Sequence, residues 1–308
     1  MRGKQIMTVT GPVNANLLGT VYSHEHLIVQ PQIPDEKYIA YTLSDENASA
    51  KEVQLFANAG GKTIVEMTPI NYGRDVLAYQ RIAEKTGIYV ICCTGFHKEL
   101  FMPSWFKEKK SSQIYDEVLN EIENGIDKTS IRPGVIKMGT SFENITDQER
   151  RAVEIVARLH QDTGIMISTH CDKGTMGIEQ LDLLEHYGVS AKDVLLGHID
   201  SKHDIDYAKE LCKRGAKICI DHVGRSLSDH DAFCVQLITE LIEAGFVDHV
   251  VLSGDMGKTD YLLSYGGTPG FGYILKELKK TLLQYISEED FSKMLIKNPQ
   301  QFLSGNND

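Results

Sequence analysis

The sequence predicts an α/β fold, a (β/α)₈ barrel of the TIM type spanning residues 1–308 as a single domain. Three observations carry that expectation. Eight short apolar runs rich in β-branched residues recur along the chain, and longer amphipathic segments separate them. No phosphate-binding glycine motif follows the first run, which disfavours the other fold of repeated strand and helix, the doubly wound nucleotide-binding sheet. A barrel of this kind routinely reaches such a length as one unit.

The runs, in order, are GTVYSHEH (19–26), KTIVEMTP (62–69), IYVICCTG (88–95), GVIKMG (134–139), GIMISTH (164–170), DVLLGH (193–198), AKICIDH (216–222) and HVVLSGD (249–255). Each is short and unbroken enough to be a strand buried on both faces. The segments between them read as helices. ITDQERRAVEIVARLHQDTG offers Thr146 as N-cap, Glu149 three residues on and Gly164 as a stop. MGIEQLDLLEHYGVS carries leucines on one face and ends at Gly188. The stretch from about 27 to 50, including QPQIPDEKY, reads as an extended first loop on the catalytic face.

Composition narrows the function. Hydrophobic residues make up 42% and charged residues 24%, the balance of an ordinary globular protein. Thirty-two basic against 43 acidic residues give a net charge of −11, which argues against a general nucleic-acid or membrane-surface binder. A small anionic substrate remains open, because a few local cations override the global sign. Cys92, Cys93, Cys171, Cys212, Cys219 and Cys234 form no C-x-x-C pair, so a reducing compartment is expected. MRGKQIMTVTGPV lacks the apolar core of a signal peptide, and no run is long enough to span a bilayer. A cytoplasmic location is the expectation.

The chemistry lies at the strand ends. In a barrel these open on one face, where active sites sit. His24 and His26 stand two apart in the first run and therefore share a face. His170, His198 and Asp255 close later runs, and His222 closes another. A lone histidine after an apolar strand is more often a hydrogen-bonded core residue than a ligand. Several aligned at strand ends make a different case, and they suit a Zn²⁺-type ion. His160 and His186 fall on helices, His203 and His230 on polar loops, and His249 at a strand start on the opposite face; none receives a role.

Lys137 is the odd residue, a lysine inside VIKMG where burial is expected. A buried ammonium is costly and its pKa falls. Either it is neutralised by a carboxylate such as Glu66, or the neutral amine captures CO₂ to give a carbamate whose oxygens bridge two cations.

GTVYSHEHL, GVIKMGTS, ISTHCDKGTMGIEQL, VLLGHID, VLSGDMG and KNPQQFL together resemble the phosphotriesterase family of the amidohydrolase superfamily over nearly the whole chain. The resemblance implies a metal-dependent hydrolase in which His24, His26 and Asp255 bind one divalent ion and His170 and His198 the other. Carbamylated Lys137 and a hydroxide would bridge them, with Zn²⁺, Mn²⁺ or Co²⁺ as the metal. The hydroxide would attack the substrate carbonyl, and Asp255 would shuttle its proton to the leaving group.

GTMGIEQLDLL and SGDMGKTDYLLSYGGTPGFGYIL are most similar to the family's lactonases, in particular those acting on phosphorylated sugar γ-lactones. Lys98, Arg225, Lys258 and Tyr261 would then hold the phosphate, with His97 and His222 also facing substrate. Two positions depart from that pattern. His97 stands where many acyl-lactone members carry tyrosine, and Lys258 where some phosphate-binding relatives carry arginine. The competing readings are an organophosphate triesterase or cyclic-amide hydrolase on the same metals, and a barrel that binds metal or phosphosugar without turnover. A homodimer is expected.

Overall fold

An antiparallel hairpin opens the chain, β1 Gln5–Thr8 and β2 Gly11–Asn14. The computed structural model describes residues 4–33, 35–225 and 229–305. The hairpin was not anticipated. It lies at the start of the third apolar run, where the Val9 amide donates to Val90 O at 2.9 Å.

Each of the eight runs forms a strand: β3 Val21–Glu25, β4 Thr63–Glu66, β5 Tyr89–Gly95, β6 Val135–Thr140, β7 Ile167–Cys171, β8 Val194–Gly197, β9 Lys217–Ile220 and β10 Val250–Leu252. They pair parallel and in chain order from β3 to β10, with helices between, as a barrel requires. Alternation of side chains divides the core in two. Val21, Val65, Ile91, Cys93, Val135, Leu195, Cys219 and Val251 belong to one cluster with Phe302 and Leu303. Their neighbours Tyr22, Ile64, Val90, Cys92, Ile136, Leu196, Ile218 and Leu252 pack with the helices. All six cysteines are buried free thiols.

The ring is nearly closed, and a side chain and a backbone amide share the seam. The His24 amide donates to Ser253 Oγ at 3.0 Å, and that oxygen lies 2.6 Å from His24 O. The Asp255 amide donates to the same carbonyl at 3.1 Å.

The helix Asp147–Thr163 has the expected capping box of Thr146 with Glu149, and Gly164 takes the left-handed conformation that ends it. The helix Gly177–His186 buries Leu181 and Leu184 and stops just before Gly188. The first loop is shorter than expected. Asp45 accepts from the Asn47 and Ala48 amides and starts the helix Glu46–Asn58, so the last residues assigned to the loop are helical. The loop is also partly ordered, with a 3₁₀ turn Glu36–Tyr41 and a bridge between Val29 and Leu43. Among the described residues, no helix is long and apolar enough to cross a membrane.

Candidate metal centre

The two histidines of the first strand reach the lumen through an irregularity. Strand β3 pairs Tyr22 with Ile64 but Glu25 with Glu66, so β3 carries one residue more than β4 between these points. Such a bulge re-aims the side chains beyond it. Strict alternation from Val21 would turn His24 away from the lumen; instead its ring meets Lys137, Asp221 and Asp255. Gly197 leaves the space this needs, since a Cβ there would stand 3.3 Å from His24 Nδ1 and 2.5 Å from Thr169 O.

Hydrogen bonds fix which ring nitrogens are free. His198 Nδ1 bonds Asp221 Oδ1 at 2.9 Å, whereas His24 Nδ1 and Asp221 Oδ2 lie 3.2 Å apart, within ion-pair reach but without a hydrogen bond. His26 Nδ1 lies 2.7 Å from Thr68 Oγ1, whose own hydrogen goes to Glu66 Oε1 at 2.6 Å. In His198 and His26 the acceptors at Nδ1 place the hydrogen there and leave Nε2 with a lone pair, the arrangement of a metal-binding imidazole. His26 Nε2 then faces Asp255 Oδ1 at 3.1 Å, acceptor against acceptor. His170 Nε2 is buried with no hydrogen-bond partner. Such a cluster calls for a positive charge at its centre.

The donors fall into overlapping groups. His24, His26 and Asp255 have ligand atoms within 4.8 Å of one another, and so do His198, His222 and Asp255. His170 enters no such group, although its ring lies edge-on 4.5 Å from that of His198. Burial, and then Lys137, pulls the His24 pKa down to about 3; burial, and then His198, holds His170 well below the usual range. Both rings are neutral and available as ligands.

Lys137, 1% exposed, reaches the centre from mid-strand. Its Nζ lies 3.2 Å from His24 Nε2 and donates to Met67 O at 2.9 Å. Burial lowers its pKa. The alternative ion pair with Glu66 is not formed, because that carboxylate is taken up by Thr68 and the Leu27 amide.

Asp255 sits past the end of β10 in a left-handed conformation (φ 41°), as His198 does past β8 (φ 64°). Non-glycine residues held so cost about 1–3 kcal/mol each and persist only where their surroundings impose them. For Asp255 the surroundings include Glu25, which accepts from the flanking Gly254 and Met256 amides at 2.6 and 2.9 Å. Burial would raise the Asp255 pKa, but Arg225, His24 and their neighbours hold it well below the carboxylate range.

A cavity of about 280 Å³ opens over these groups and is lined by every residue assigned to metal or substrate: His24, His26, His97, Lys98, Lys137, His170, His198, His222, Arg225, Asp255, Lys258 and Tyr261. The cations differ in their company. Lys98 pairs with Asp172 at 2.5 Å, and Arg225 pairs with Asp255. Lys258 has no carboxylate within ion-pair reach among the described residues; it lies over Tyr41 and, at 5.5 Å, Tyr261. His97 receives the Lys98 amide on Nδ1 at 2.7 Å, and burial keeps its ring neutral. His222 stacks flat on His198 and lies 3.6 Å from Asp255 Oδ2, with Asp200 accepting from its amide.

Asp221 is not among the residues the sequence pattern singles out, although His222 beside it is. Cys219 points into the lumen, and a residue two further on shares its face, so the signal was there. His230 is a correction. It lies in the first turn of the helix Asp229–Glu243, not in a loop, and Asp200 bonds it at 2.9 Å.

Residues 4–303 match the model of the phosphotriesterase family. The phosphotriesterase homology protein of Escherichia coli is 31% identical, over 92% of this chain and 97% of its own length. A phospho-furanose lactonase of Mycoplasmopsis synoviae is 32% identical, over 99% of this chain and 93% of its own. Among solved structures, a lactonase from Listeria monocytogenes superposes with a TM-score of 0.92 at 30% identity, covering 97% of this chain and 98% of that one.

Proposed function

This chain belongs to the phosphotriesterase family and is a hydrolase, and from that premise we propose that it opens a phosphorylated sugar γ-lactone with two divalent cations in the barrel mouth. The observation that carries the metal assignment is the convergence of His24 and His26 Nε2 on Asp255 and Lys137, with the Nδ1 atoms of His26 and His198 bonded to acceptors behind them. His24, His26 and Asp255 would hold one cation, and His170 and His198 the other. Lys137 would join them as a carbamate, its neutral amine adding to CO₂ and losing a proton. Zn²⁺, Mn²⁺ and Co²⁺ all suit this mixture of imidazole and carboxylate.

When bound, the cations supply an ionised water at neutral pH and a positive charge beside the substrate's carbonyl oxygen. The residues do the rest. Asp255, ionised, takes the proton of the attacking water and passes it to the departing ring oxygen. Arg225 holds the second oxygen of Asp255 and fixes its aim. The phosphate falls to Lys258, whose ammonium faces phenols rather than a carboxylate, with Tyr261 beside it. A relative named as a phospho-furanose lactonase supports that substrate class.

The test is hydrolysis of a five-carbon sugar γ-lactone with and without its 5-phosphate, followed by a pH indicator. Turnover is expected for the phosphorylated lactone, with KM raised at least tenfold in Lys258→Ala and much less in Lys98→Ala. Equal turnover of the bare lactone would remove the phosphate assignment. Turnover of neither would overturn the lactonase reading in favour of phosphotriester or amide substrates.

A further inference from the structure

Behind the mouth, on the outer side of β8 and β9, lies a second cluster of ligand-type side chains. Asp200 stands in the 3₁₀ turn Ile199–Lys202 that follows β8. His230 and Cys234 are four residues apart on the helix Asp229–Glu243, one turn above the other on one face. None of the three lines the mouth cavity. Asp200 and Cys234 are fully buried, and the His230 side chain is 15% exposed.

Their ligand atoms form a triangle. Asp200 Oδ2 lies 2.9 Å from His230 Nε2 and 3.8 Å from Cys234 Sγ, and Sγ lies 3.4 Å from Nε2. A tetrahedral ion with ordinary bond lengths to sulfur, nitrogen and oxygen holds those atoms about 3.3–3.6 Å apart. The side chains therefore need to shift by only a few tenths of an ångström. His203 Nε2 bonds the other nitrogen of His230 at 2.8 Å, so the imidazole is already oriented by an outer partner. A thiol is a weak hydrogen-bond donor and adds little to an Asp–His bond, whereas as a thiolate it is a strong soft ligand.

We propose that Asp200, His230 and Cys234 form a third cation site, separate from the barrel mouth and suited to a borderline or soft divalent ion such as Zn²⁺ or Cd²⁺. Binding forms the metal–sulfur bond as the thiol proton leaves to solvent, and a water completes the tetrahedron. Asp200 Oδ2 also accepts from the His222 amide at 3.0 Å, which links occupancy to the residue beside Asp255. Nothing in this site depends on which substrate the mouth takes.

Cadmium reads the site directly, because none of the ligands assigned to the mouth contains sulfur. The full-length protein, titrated with Cd²⁺ beyond filling of the mouth, should develop an ultraviolet thiolate-to-cadmium charge-transfer band. That band should saturate at one ion per chain. It should vanish in Cys234→Ala, and in His230→Gln it should require at least tenfold more Cd²⁺. Circular dichroism and melting would establish that both variants are folded. Absence of the band in the wild-type protein, or a band of full intensity in folded Cys234→Ala, would overturn the proposal.

Discussion

Lys137 concentrates the chemistry of the centre in one side chain. It is 1% exposed, its pKa is lowered by burial, and its near neighbours are a ring nitrogen and a carbonyl. An ammonium left there without a carboxylate would be poorly compensated, whereas a carbamate would turn the position from cation to anion among cations. Lys137→Ala should bind less than half the wild-type metal after dialysis, measured by atomic absorption. Added acetate or propionate should restore part of both metal and turnover. Full metal occupancy in the unaided variant would rule the carbamate out. This residue was legible because a lysine within an apolar strand breaks the pattern around it. The pairing of Arg225 with Asp255 was not, because it joins residues on two separate loops and leaves no local trace.

At the scale of strands, the barrel turns a linear pattern into a convergent one. Polar residues ending apolar runs marked His170, His198, His222 and Asp255, and the barrel assumption alone brought them to one face. The phase of the first strand was not readable, since the extra residue in β3 appears only against its partner β4. The loop contributions, Tyr41 and Phe101 among them, come from 3₁₀ turns with no periodic signature. Asp221 works between strands: one oxygen accepts the His198 amide at 3.0 Å and its Nδ1 at 2.9 Å, while the other faces His24 of β3. It thereby sets two rings from two strands. Asp221→Asn keeps the shape and removes the charge, so metal affinity should fall by about 10–100-fold while turnover at saturating metal falls less. Competition with a chromogenic chelator measures the first quantity. An unchanged affinity would show that the rings are held by packing alone.

For the whole molecule, the centre gathers buried ionisable groups that have little reason to be together without a cation. Asp221 and Asp255 are carboxylates held well below their usual range, and His24, His170 and Lys137 are bases pushed down by burial. Ligands that bind only the folded chain stabilise it by mass action, about 4 kcal/mol at a thousandfold excess over Kd. Removing metal with a chelator should lower the melting temperature measured by calorimetry, and adding Zn²⁺ or Mn²⁺ should raise it again. A melting temperature indifferent to both would argue against metals in the mouth. The seam between β10 and β3 has a further consequence for the order of events during synthesis. His24 and His26 are made some 230 residues before Ser253 and Asp255, which close the ring against His24. The nascent chain therefore displays an unguarded pair of imidazoles until those residues have followed. An ion taken up by that pair before closure would not be chosen by the finished geometry, so the cell's free-metal level at that stage, as well as the affinity of the completed barrel, would bear on which metal the proposed centre carries.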